Sequence, residues 1–132
     1  MKMDLKEYYQ NNHDIEDMQK LYYNMSTTMK YIHDHDYCVK SFNLCDIEIL
    51  DIEKLSPIRY KTVVKMPIEE ESQLTNEDIY NIAFIQIGVY SGTLEYLKPK
   101  FLKENFNMFT QFLPQDDIPY FRGVIERGAS VY

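Results

Sequence analysis

The sequence predicts a mainly helical α+β domain with one small β-hairpin, on three patterns. Ile15, Met18, Tyr22, Met25, Met29 and Ile32 recur at steps of three or four, the spacing of one face of a helix. Ile58, Tyr60, Thr62, Val64 and Met66 alternate with Arg59, Lys61, Val63 and Lys65, the period of a half-buried strand. Asp78 to Ser91 is apolar on nearly all sides, as a helix buried within a domain would be.

The elements follow in order. Residues 1–13 read as a polar N-terminal segment with a break at Asn11-Asn12, and residues 14–132 as a single domain. A helix is expected to open near Asp14, with Asp17 in the first turn, where a carboxylate suits the positive helix end. Its methionine-rich stripe reads as core. Asp34 to Asp36 makes a polar turn. Ile47 to Ile52 form a short apolar strand whose facing the pattern leaves open, and Ser56-Pro57 breaks it. The strand Ile58–Met66 completes the hairpin. Glu69-Glu70-Glu71 with Ser72 and Gln73 reads as a solvated linker. Thr75 or Asn76 would cap the apolar helix, and Gly92 would stop it. Phe101, Leu102, Phe106, Phe109, Phe112 and Leu113 make an aromatic helical segment ended by Pro114. Ile118, Tyr120, Phe121, Val124 and Ile125 suggest one more short helix before Gly128.

Composition bounds the function. With 45% hydrophobic and 27% charged residues, 132 residues suffice for one packed core. A net charge of −7 argues against a nucleic-acid partner, which needs a basic face. No membrane span is expected, since the longest apolar run, Ile82–Val89, is short and interrupted by Gln86. The start M-K-M-D-L-K-E-Y-Y is too polar for a secretory signal, so a cytoplasmic setting is expected, or a virion if the chain is viral. Richness in Tyr, Asn, Ile and Lys without Trp hints at an AT-rich genome of the kind some viruses and phages have. Cys38 and Cys45 stand seven apart and read as buried small hydrophobes rather than a disulfide or zinc pair.

Two segments carry a family resemblance. Tyr31–Ile49 reads Y-I-H-D-H-D-Y-C-V-K-S-F-N-L-C-D-I-E-I, and Asp78–Gly92 reads D-I-Y-N-I-A-F-I-Q-I-G-V-Y-S-G. The first resembles, without a gap, the helix end and catalytic loop of the protein-kinase large lobe, Y-L-H-x-x-x-I-V-H-R-D-L-K-P-x-N-I-L-L. The second resembles that lobe's central buried helix, D-x-W-S-x-G-x-x-L-x-E-x-x-x-G. The resemblance implies kinase-large-lobe-like helices, with the hairpin in the family's place after the catalytic loop. It also implies that the chemistry is gone. The family's His-Arg-Asp falls on Val39, Lys40 and Ser41, and a serine has no carboxylate to accept a hydroxyl proton. The phosphate-contacting Lys falls on Asn43, and the metal-holding Asn on Asp46. The Asp-Phe-Gly triplet falls on Lys65-Met66-Pro67, where Lys65 would repel a divalent cation; alternatively, Met66-Pro67-Ile68-Glu69 imitates the family's Ala-Pro-Glu. Ahead of Asp14 stands no glycine-rich loop and no strand with an ATP-binding Lys.

Asp78 is the residue the resemblance retains. Its implied role is a structural anchor that accepts hydrogen bonds from the backbone of the Tyr37–Asn43 loop. The resemblance also pairs Glu69 with Arg122 or Arg127. Other constellations carry less. His33-Asp34-His35-Asp36 contains ligand types, but residues two apart on a helix end point differently. Ser41 with His35 nearby lacks a third orienting group.

The expected function is therefore non-catalytic, without cofactor or metal: a pseudokinase-like binding or structural module, a subunit of a larger assembly with a protein partner. Phe101, Phe106, Phe109 and Phe112 are the candidate interface, because one helix in so small a domain cannot turn all four inward unless neighbouring segments cover them. The alternatives are an acidic inhibitor or decoy docking on a basic surface, and an enzyme of unrecognised type.

Overall fold

The computed structural model describes residues 2–11 and 13–128. The chain enters as strand β1 (Met3–Asp4) and helix α1 (Leu5–Tyr9), where Asp4 caps the helix by accepting from the Glu7 amide at 2.9 Å. Leu5 and Tyr8, three apart and so on one helix face, are buried in the main core. The expected separation of residues 1–13 as a polar segment is thus corrected, since residues 3–9 pack with the rest. Helix α2 (Ile15–Asp34) begins at the expected cap, Asp14 accepting from the Asp17 amide at 2.8 Å. Its stripe is core at Tyr22, Met25 and Met29, with Leu21 beside them, while Ile15 stays 44% exposed on the first turn.

After α2 come strands β2 (Tyr37–Cys38), β3 (Ile47–Ile49), β4 (Ile58–Tyr60) and β5 (Val64–Lys65). They form two antiparallel sheets, β1-β3-β4 and β2-β5. Strand β3 is central in its sheet and buries Ile47, Glu48 and Ile49 alike, which answers the facing that alternation left open. Glu48 tolerates burial because Arg59, opposite it on β4, pairs with its carboxylate. The expected strand Ile58–Met66 is two strands. Lys61 N donates to Asp46 O at 2.8 Å and closes the β3–β4 ladder, after which Val64 and Lys65 pair with Cys38 and Tyr37. Alternation marks a strand but not its partner.

Helix α3 (Glu71–Ser91) starts seven residues ahead of Asp78, so Glu71, Ser72 and Gln73 are helical rather than linker. Pro67 and the 3₁₀ turn Ile68–Glu70 lead into it, and no breaker stands between Glu71 and Gly88. Gly92 ends the helix with φ +71, a left-handed residue that suits glycine. Gln86, fully buried, accepts from the Tyr9 hydroxyl at 2.8 Å and donates to Met18 O at 3.2 Å, tying α1 and α2 to α3. The expected continuous aromatic helix breaks at Asn105 into α4 (Pro99–Glu104) and α5 (Phe106–Phe109), followed by a 3₁₀ turn, Thr110–Phe112. Helix α6 (Ile118–Arg127) buries Phe121, Val124 and Ile125 against this end of the core. Among the described residues, no helix is long and apolar enough to cross a membrane.

Gly88 marks a close approach. A Cβ there would stand 2.8 Å from Leu94 Cδ1 and 2.9 Å from Leu94 Cα, in the turn packed on the last turns of α3. Gly88→Ala is expected to destabilise by about 1–3 kcal/mol in urea unfolding, despite alanine's better helix propensity.

Burial raises the phenol pKa values of Tyr9, Tyr22 and Tyr60 well above 10.0, and pushes Tyr90 up to about 12. The folded chain therefore holds protons that the unfolded chain releases. Stability is full below about pH 10 and falls as pH rises beyond it. In an alkaline titration, phenolate absorbance from these buried rings should appear together with loss of the helical circular dichroism signal.

Candidate functional site

Asp78 lies in the third turn of α3 with no solvent exposure. A carboxylate there must be met by donors, and three reach it. Val39 N donates to Oδ2 at 2.8 Å and Lys40 N to Oδ1 at 2.9 Å. His33 Nε2, at the end of α2, lies 2.8 Å from Oδ2; the carboxylate only accepts, so the ring hydrogen sits on Nε2. Asp78 thus joins α3, the end of α2 and the Val39–Lys40 backbone in one knot.

The loop it holds is tightly turned. Lys40 has φ +67, an uncommon left-handed conformation for a residue with a side chain, and Ser41 N donates back to Val39 O at 2.7 Å. The bond from Lys40 N to Asp78 favours that turn. Cys38, buried just ahead of it, has its thiol pKa raised by burial and then by the Asp78 charge. Cys45 is exposed and free, unlike the expectation that both thiols are buried.

Downstream of the anchor, Ser41 is exposed, and Asp46 accepts from the Asn43 amide at 3.3 Å as a loop-capping carboxylate. Because β4 ends at Tyr60, the tripeptide after the second hairpin strand is Lys61-Thr62-Val63. The reading of Lys65-Met66-Pro67 as that triplet is corrected: Lys65 is in β5, and Met66 is buried with Cys38 and Leu74. Neither tripeptide carries a carboxylate.

The remaining candidates diverge. His35 Nδ1 meets Tyr31 O, Asp34 pairs with Lys30, and Asp36 lies 3.7 Å from Lys65, so the His33–Asp36 run does not converge. Among the described residues, no group of three histidine, cysteine or acidic side chains is placed to hold a metal ion. Arg122 donates to Asn107 at 3.0 Å and covers the Phe106 ring, rather than reaching Glu69. Of the four candidate interface rings, Phe106 and Phe109 are buried, while Phe101 and Phe112 are 47% and 42% exposed. Helical spacing already carries that division: Leu102, Phe106, Phe109 and Leu113 follow at steps of four, three and four on one face, while Phe101 and Phe112 share another. The structure also opens a cleft of about 960 Å³ between α1, residues 42–46 and the second half of α3, with Phe84 and Val89 in its lining. Its walls come from three separated segments, and no single motif announced it.

No family model matches this chain, and neither a curated protein nor a solved structure does.

Asp78→Ala should cost about 3 kcal/mol in denaturant unfolding, because it leaves buried donors on Val39, Lys40 and His33 unpaired. Asp78→Asn should cost nearly as much. Both oxygens accept here, and an amide can present an acceptor on one side only.

Proposed function

We propose that this chain is a non-catalytic binding or structural module with the architecture of a degenerate kinase large lobe, working as a subunit of a larger protein assembly in a cytoplasm or a virion. One observation carries the reading. The buried Asp78 grips the backbone of Val39 and Lys40, the two positions that the kinase resemblance matches to the first two residues of His-Arg-Asp. The next residue, at the base position, is Ser41.

The chemistry around that anchor supports binding rather than turnover. Ser41 offers a hydroxyl where phosphotransfer needs a carboxylate to accept the nucleophile's proton. Asp46 is a lone carboxylate already capping its own loop. Lys61 opens the tripeptide after the hairpin, where a kinase site would place a metal-binding carboxylate, and its ammonium lies 4.0 Å from Glu48. Scaffold and anchor are retained while each charge-critical position carries another residue type.

A second reading, an acidic inhibitor or decoy, draws on Glu69, Glu70 and Glu71. All three are exposed, and none forms an ion pair among the described residues.

Isothermal titration with ATP and magnesium tests the first reading. No magnesium-dependent binding is expected up to millimolar nucleotide; tight, magnesium-dependent binding would overturn it.

A further inference from the structure

We propose that the protein self-associates head to tail, the acidic surface leading into α3 of one copy docking on the basic, aromatic surface of α4 in the next. The proposal rests on the reading of the chain as an assembly module and names a second copy as its partner.

The acidic surface is Ile68 with Glu69, Glu70 and Glu71. Ile68 is 87% exposed, the most exposed of the large apolar side chains described. The three glutamates beside it are exposed and form no ion pair among the described residues, and the nearest cation in sequence, Lys65, is already engaged with Asp36. Between Met66 and Asp78 the chain carries no lysine or arginine. This is an apolar knob in an uncompensated negative field.

The complementary surface is Phe101 flanked by Lys98, Lys100 and Lys103. Phe101 is about half exposed, and the three lysines are exposed without an ion pair among the described residues. Glu104, which closes the helix, is the only acidic residue of α4. An exposed ring rimmed by three positive charges matches an exposed aliphatic side chain beside three negative ones. Apolar contact at the centre and opposite charges at the rim are the anatomy of a protein interface.

The placement keeps the two surfaces apart within one copy. Glu71 begins α3, and α4 starts from the turn packed on its last turns, where Gly88 meets Leu94. Among the described residues, no ion pair joins the two patches. Two different patches of opposite charge on one copy make a heterologous contact, which propagates into a ring or an open chain of copies.

Sedimentation velocity over a range of protein and salt concentrations tests this on the full chain. The expected result is concentration-dependent association at low salt that dissociates as salt rises, because exposed pairs are screened over about 10 Å at 0.1 M ionic strength. Reversing Glu69, Glu70 and Glu71 to Lys, or Lys98, Lys100 and Lys103 to Glu, should each weaken association by about tenfold, the sum of three exposed pairs. All six positions are exposed, and unchanged thermal unfolding would show that the variants fold. Mixing the two variants should restore association, since each then meets an opposite charge on both sides. A wild type that stays monomeric at high concentration and low salt would overturn the proposal. So would association that neither reversal weakens, or that mixing does not restore. A monomeric wild type that binds a different protein through either patch would overturn self-association and leave the assembly-module reading standing.

Discussion

The structure depends on one buried carboxylate. Asp78 has no solvent, so its oxygens must be satisfied by protein donors, and those donors come from elements far apart in sequence. Val39 and Lys40 belong to the turn that leads from β2 towards β3, while His33 ends α2. Meeting all three at once sets the position of α2 against α3 and fixes where the turn sits on them. The left-handed Lys40 follows from this, because only a sharply turned backbone brings two successive amides onto one carboxylate.

Helix α3 carries a second polar tie two turns further along. Gln86 is buried like Asp78, and it spends its acceptor on the Tyr9 hydroxyl and a donor on the Met18 carbonyl. The two residues divide the work: Asp78 holds the end of α2 and the loop, and Gln86 holds its start and α1. Between and around them, Leu74, Tyr80, Ile82, Ala83 and Ile87 present apolar surface on nearly every side. A helix so enclosed acts as a spine on which α2, β2 and α6 are assembled.

This arrangement bears on the proposed function because the backbone of Val39 and Lys40 is placed precisely, while Ser41 next to them offers no carboxylate. Holding Val39 and Lys40 costs a buried charge and an uncommon backbone conformation, while Ser41, the residue next to them, is exposed. Such a loop is useful to the fold as a joint between helix and sheet. What remains for interaction is surface: the open cleft beside α1, the exposed ring of Phe101, and the glutamates next to Ile68.

The sequence by itself determined α2, most of α3, α6 and the anchor. Apolar residues at helical spacing placed α2, the all-round apolar run with Gly92 placed most of α3, and the matched segment singled out Asp78 and named the loop it would bind. These features are local, written in side-chain period, caps and breakers within one segment. Tertiary structure decided the rest. Residues 3–9 look polar in isolation but gain a place in the core because β3 has a free edge for Met3 and Asp4. One alternating run became two strands because its halves found different partners, a choice made by hydrogen-bond geometry rather than by alternation. Helical spacing parts Phe106 and Phe109 from Phe101 and Phe112, and packing decided that the first pair went inward. His33 became a partner of Asp78, rather than a ligand beside His35, because α2 ends against α3. Spacing along the chain tells which residues share a face; which faces meet is settled only when every buried polar group has found a partner.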